Sequence, residues 1–188
     1  MRKEQWNKKI QKELEEGNDR SLIIVGCALL EDSLEELIKL HLVEVEKNQE
    51  KLFSSNNPLC TFSSKIEIAF RLGIIDKTVK NIFSLLRKIR NDCAHNSEII
   101  NLNSSPFKDR VNLIRNHLAL HFKEPNLSER DVAVRTCMIL NGCLCGSMNN
   151  IDLQNTNFAT KFSSSISVEE SELQMHLYQK VEYGRKYA

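Results

Sequence analysis

Apolar residues recur every three or four positions along most of this chain, the spacing of one face of an α-helix. Trp6, Ile10 and Leu14 mark a first amphipathic helix within residues 1–17, ended by Gly17. Asn18, Asp19 and Ser21 are N-cap candidates for the next segment. From Ser21 to about Lys47 the pattern predicts a long helix, apolar on most faces through Leu22, Ile23, Ile24, Val25, Ala28, Leu29 and Leu30. Leu34, Leu37, Ile38 and Leu42 continue the stripe, while Glu31, Asp32, Glu35, Glu36 and Lys39 take the other side and read as a solvated face. This is the expected central core helix.

Ser54 to Pro58 breaks the chain. A short helix is expected over residues 61–72 on Phe62, Ile66, Ala69 and Phe70, with Gly73 suited to the left-handed position after its end. Asp76 can cap a helix from Lys77 to about Cys93, whose stripe is Val79, Ile82, Phe83, Leu86, Ile89 and Cys93. Pro106 suits the first turn of a helix running to about Phe122, and Pro125 stops it. Ser128 and Asp131 form a capping-box pattern ahead of a helix carrying Val132, Val134, Cys137, Met138, Leu140 and Leu144. Residues 149–168 read as a polar loop and 168–183 as a last amphipathic helix. No period-two alternation survives, so the chain reads as all-α: an N-terminal amphipathic helix (1–17), a helical domain (18–148), and a polar loop with a C-terminal helix (149–188).

Composition narrows the class. The chain has 188 residues, enough for one domain with tails and a real core. Six glycines and three prolines speak against a turn-rich β architecture. The balance of 26 bases and 25 acids leaves a net charge of +1, so the overall field does not draw the protein to DNA or membrane. The polar start is no signal peptide, and the longest apolar run, Leu22 to Leu30, falls short of the roughly 20 residues of a membrane span. With six cysteines and no secretion signal, reduced thiols in a cytoplasmic protein are expected. Cys143 and Cys145 form the one close pair; without partner ligands at a matching spacing they read as packed thiols.

The informative stretch runs from Asp76 to His95. It holds Lys77, Lys80, Arg87, Lys88 and Arg90 against Asp76 and Asp92, a local excess of positive charge on a nearly neutral chain. Arg87 and Arg90 share a helix face, and Arg90, Asn91, Asp92 and His95 cluster where the helix should end. One reading is structural: bases near a helix C-terminus complement its dipole, and His95 belongs to a cap.

The other reading comes from resemblance. Arg90-Asn91-Asp92-Cys93-Ala94-His95 resembles the signature of HEPN domains, an Arg followed after four to six positions by His. A longer stretch, roughly residues 18–96, resembles the MltR family, named for the mannitol operon repressor. It includes Ser21 to Leu37, the pieces Pro58-Leu59, Phe62-Ser63 and Leu72-Gly73-Ile74-Ile75, and Leu85 to His95. Family members often have Gly where Cys60 stands. The C-terminal half resembles nothing nameable. The resemblance implies an HEPN-like helical bundle with long central helices and additional C-terminal helices.

For function, the HEPN likeness implies a metal-independent endoribonuclease or an RNA-binding toxin or defence component. His95 would carry the proton, since imidazole titrates near 6.5. Arg90 would hold the scissile phosphate. Asn91 or Asp92 would orient His95 or the RNA, and Arg87 and Lys88 would bind neighbouring phosphates. On one regular helix, Arg90 and His95 point about 140° apart. Within one chain, convergence needs the helix to end or distort near Ala94. A homodimer with the 76–95 helices near its two-fold axis, joining two motifs in a composite site, is therefore the expected assembly. The MltR likeness implies a transcriptional regulator without enzymatic activity. No helix-turn-helix or basic recognition helix is visible, so direct DNA binding stays open, and a regulatory protein or antitoxin is the expected partner. No cofactor is implied. His117 and His121, four apart on one expected helix, are a weak metal pair; His41 and His176 have no informative context.

Overall fold

The computed structural model describes residues 12–42, 50–119, 121–122 and 126–151, and every regular element among them is helical. Residues 12–16 are helical and end at Gly17. Five helices follow: α1 (Asp19–Lys39), α2 (Phe62–Arg71), α3 (Lys77–His95), α4 (Phe107–His117) and α5 (Glu129–Ile151). Trp6, Ile10 and the expected C-terminal helix lie outside the described residues. No described helix is long and apolar enough to cross a membrane.

The chain is an all-α helical bundle built around α1, which packs against α2, α3 and α5; α4 bridges α3 and α5. The reason lies in α1's sequence. Leu22, Ile23, Gly26, Cys27, Leu30, Leu34, Leu37 and Ile38 are all buried, a stripe wide enough to serve three neighbours. Gly26 makes the closest approach: a Cβ there would sit 2.7 Å from the Cys137 Sγ of α5. From α2 and α3, Phe62 and Phe83 meet edge to face with centroids 5.7 Å apart. Leu14, ahead of α1, is buried in the same core.

Local chemistry sets helix starts at Asn18, Asp76 and Ser128 as expected, and at Thr61 by a box that the spacing did not mark. The Asn18 side chain accepts from the Ser21 N–H at 2.9 Å. Thr61 and Ser64 close a reciprocal capping box on α2. Gly73 follows α2 at φ +71°, the left-handed region glycine enters without strain. The Asp76 carboxylate accepts from the Val79 N–H at 2.8 Å, and all six stripe residues of α3 are buried. Ser128 Oγ donates to Asp131 at 2.6 Å and accepts from the Asp131 N–H at 3.1 Å.

Helix ends differ more. α1 stops at Lys39, well before the expected Lys47, because His41 turns back and its Nδ1 donates to the Leu37 carbonyl at 2.8 Å. α4 starts after Pro106, which takes the cap position, and stops at His117 instead of Phe122. α5 runs on to Ile151.

The acidic side of α1 is only in part the solvated face its pattern suggests: Asp32 and Glu36 are exposed, whereas Glu31 and Glu35 are half-buried. Lys65 of α2, only 5% exposed, reaches Glu31 at 3.0 Å and Glu35 at 2.8 Å. Lys39 adds a 2.6 Å contact to Glu35. Burial pushes the Glu35 carboxyl up, but the hydrogen bonds from Lys39 and Lys65 outweigh it and hold its pKa below the ordinary value. Asp32 takes no part in this pairing; partial burial, then its neighbours Glu31 and Glu35, push it up.

Candidate functional site

The stretch singled out by its sequence forms the second half of α3. The helix runs unbroken from Lys77 to His95, and the Asn96 N–H closes it on the Asp92 carbonyl at 3.0 Å. The break at Ala94 that would let Arg90 and His95 converge within one chain is absent, so the two side chains leave the helix about 140° apart.

Each residue of the motif has its own surroundings. Arg90 leans toward α1, with Nη2 3.7 Å from the Glu31 carboxylate and Nη1 3.4 Å from the Asn91 Oδ1. Asp92 points to α4, where it accepts a short hydrogen bond from Arg110. Neither Asn91 nor Asp92 is hydrogen-bonded to His95, which is exposed and forms no ion pair among the described residues. Arg87 is half-buried and Lys88 exposed, again without an ion pair among the described residues.

The local positive excess is partly consumed. Lys80 holds Glu67 at 2.6 Å and lies 4.3 Å from the Phe70 ring centroid. Arg90 faces Glu31, and Arg110 from outside the stretch neutralises Asp92. Lys77, Arg87 and Lys88 remain as the cations of α3 outside any ion pair among the described residues.

The end of α3 is secured by a residue that the sequence does not single out. Arg20, in the first turn of α1, donates to the carbonyls of Cys93 and Asn96 at 2.7 Å and of Glu98 at 2.6 Å. Carbonyls of the last turn, the cap and the segment just beyond it thus find one guanidinium. Beside it, Asp19 accepts from the Leu102 N–H at 2.9 Å and from Arg130 of α5 at 2.9 Å. Arg130 also meets the carbonyls of Leu14, Glu15 and Gly17. The signal for both clamps is a lone Arg among polar residues, which carries no information without the partner's position.

The other candidates are not gathered into one site among the described residues. His117 closes α4 and His121 lies past its end, so the two do not share a helix face. Among the described residues no three His, Cys, Asp or Glu side chains gather in a metal-binding group. Cys27, Cys93 and Cys137 are buried thiols; burial pushes Cys137 up to about 12 and Cys93 up to about 11, so both stay protonated. Cys143 is half-buried and packs against the core, as expected, whereas Cys145 is exposed.

No protein-family model and no curated protein matches the chain. Among solved structures, a chain in the X-ray structure of the MtlR–HPr complex from Escherichia coli matches with a TM-score of 0.55. The match has 18% identity and covers 78% of this chain and 98% of that one. At that identity the likeness is one of fold: the bundle described above is MtlR-like.

Proposed function

We propose that this chain is a regulator of the MltR type that acts by binding a protein partner and performs no chemistry of its own. The observation that carries this reading is the fold likeness to a protein held in complex with HPr. The state of the motif agrees with it. Arg90 is turned to Glu31, Asp92 is taken by Arg110, and α3 has no distortion that would aim Arg90 and His95 at one phosphate. The net charge of +1 fits control through a protein partner better than broad contact with DNA.

The test mixes the purified chain with purified HPr and follows complex formation by size-exclusion chromatography with light scattering. A stable co-eluting complex supports the reading; two independent peaks at concentrations up to about 100 μM, a weak-binding limit, contradict it.

A second reading is the HEPN-like ribonuclease or RNA-binding toxin, paired with an antitoxin. Its specific support is that His95 is exposed and Arg90 is 38% exposed, so a homodimer packed along α3 would join His95 of one copy to Arg90 of the other. Incubation of varied RNAs with the chain in EDTA separates the two. Cleavage lost in both Arg90→Ala and His95→Ala supports the ribonuclease, and intact RNA throughout supports the regulator.

A further inference from the structure

We infer that the groove between α1 and α5 is a docking surface for the chain's own N-terminal segment, residues 1–11, seated through Ile10 and Trp6. This does not depend on the partner-binding reading. It starts from the sequence of α5, which holds no charged residue between Thr136 and Ile151. A surface helix ordinarily carries charge on its outer side. Outside the buried stripe of Val132, Ala133, Cys137, Leu140 and Leu144, α5 instead has the half-buried Met138, Ile139, Gly142 and Gly146. α1 offers a matching side: Leu29 and Ser33, both half-buried, follow Gly26 at three and seven positions. Ser33 Oγ donates to Asn141 Oδ1 at 2.7 Å and joins the two helices along the groove.

The end of this groove nearest Gly17 is already filled. Leu14 is buried while Lys12, Glu13, Glu15 and Glu16 around it are exposed, so residues 12–16 dock by one face. A Cβ on Gly26 would lie 3.5 Å from Leu14 and 2.7 Å from the Cys137 Sγ, which puts Leu14 where α1 and α5 meet. Arg130 of α5 holds the carbonyls of Leu14, Glu15 and Gly17 and fixes the end of that short helix. Leu14, before the turn at Gly17, lies beside Gly26, after it, so residues 12–16 run antiparallel to α1. α1 and α5 run side by side, with Arg130 at Asp19, Cys137 at Gly26 and Asn141 at Ser33. Ile10 and Trp6 precede Leu14 by four and eight positions, the same helical face, and each step of four advances about 6 Å. Continued at that spacing, the face carries Ile10 past Leu29 toward Asn141, and Trp6 past Ser33 toward Gly142 and Gly146, where no Cβ stands in the way of an indole.

Other occupants fit less well. A second copy would have to displace the segment that Leu14 and Arg130 lead into the groove. The chain after Ile151 leaves from the opposite end of α5 and continues through a stretch rich in Asn, Thr and Ser, with little apolar surface to bury. The N-terminal segment needs no turn to reach the groove and brings two large apolar side chains at the right period.

Trp6 is the chain's one tryptophan, so its fluorescence reports on the occupant directly. Acrylamide quenching and emission wavelength are measured on the full chain as wild type, Leu29→Lys, Gly142→Arg and the control Leu113→Lys, a half-exposed position on α4. Circular dichroism melts confirm that all four fold, and light scattering gives the oligomeric state. Lys and Arg are good helix formers, so these changes alter the groove and leave the helices intact. In wild type and the control, Trp6 should be quenched at least threefold less steeply than in the urea-unfolded chain, at every protein concentration. In both groove variants its emission should shift to the red and its quenching approach the unfolded value. A wild-type Trp6 as accessible as in urea overturns the inference. A shielded Trp6 that neither groove variant releases also overturns it, since the segment then docks elsewhere. Shielding lost on dilution, as a dimer dissociates, overturns it in favour of a second copy.

Discussion

The Arg20 guanidinium donates to the Cys93 carbonyl at 2.7 Å, joining the first turn of α1 to the last turn of α3 across 73 positions. The same side chain reaches the carbonyls of Asn96 and Glu98, so it fixes the turn that leaves the candidate site. Arg20→Ala leaves three carbonyls without their cation. Hydrogen bonds to charged groups contribute about 1.5–3 kcal/mol each when partly buried, and water replaces part of the loss here. A destabilisation of about 2–3 kcal/mol in urea unfolding is expected, on that scale. Arg20→Lys should recover less than half, since one ammonium cannot span three acceptors as the planar fork does.

Gly26 tests the contact between α1 and α5. Gly26→Ala gains helix propensity of up to about 1 kcal/mol. It also forces a methyl group to within 2.7 Å of the Cys137 Sγ. Overpacking of this kind costs about 1–3 kcal/mol, so the net effect is destabilising. The double variant Gly26→Ala/Cys137→Ala should be more stable than the sum of the two single effects predicts, read as a positive coupling in a double-mutant cycle.

Lys65 couples α2 to α1 and gives the acid side of the stability profile a specific origin. Its partner Glu35 has a folded pKa below the ordinary 4.5. A depressed carboxylate contributes stability above its unfolded pKa, and that contribution is lost as pH falls through the folded value. Stability should therefore drop below about pH 4.5, an unfolded-state carboxylate value. Asp32 runs the other way, because a raised carboxyl gives up stability as pH rises. Glu35→Gln should flatten the acid fall while leaving Asp32's opposite trend in place. Lys65→Met should cost about 2–3 kcal/mol at pH 7, short of the 3–5 of a fully buried broken pair. The discount reflects the 16% and 21% exposure of Glu31 and Glu35.

Arg90 and His95 should matter little to the fold. The Arg90 contact to Glu31 is long, at 3.7 Å, and half-exposed. Arg90→Ala is expected to cost at most about 1 kcal/mol, the range of exposed ion pairs. His95→Ala should leave the urea midpoint unchanged within error. A larger loss from either variant would mean that the motif is held for structure.

The contrast between these residues shows what one chain reveals of its fold. The buried face of α3 was legible in full, because Val79 through Cys93 keep a strict three-to-four spacing behind a capping Asp76. The starts of α1 and α5 were legible for the same local reason, whereas the Thr61–Ser64 capping box of α2 was not read from the sequence. The end of α1 was not: Leu42 continues the apolar pattern, and the stop comes from the side chain of His41 bonding backward. Glu31 and Glu35 looked like a water-facing side because their partner Lys65 lies some thirty positions away. The arginine clamps were invisible on the same ground. Arg20, Arg110 and Arg130 act on groups 73, 18 and 111 positions off, and no local spacing encodes them. For the candidate site, the sequence drew attention to Arg90, Asn91, Asp92 and His95 as a cluster. The continuous helix and the pull of Glu31 and Arg110 give those residues separate surroundings.

Calorimetric titration of purified HPr into the intact wild-type chain tests the central claim most directly. A saturable isotherm with defined stoichiometry, together with intact RNA in a parallel EDTA incubation, is the predicted result. A flat isotherm accompanied by metal-independent RNA cleavage that Arg90→Ala and His95→Ala both abolish would contradict it.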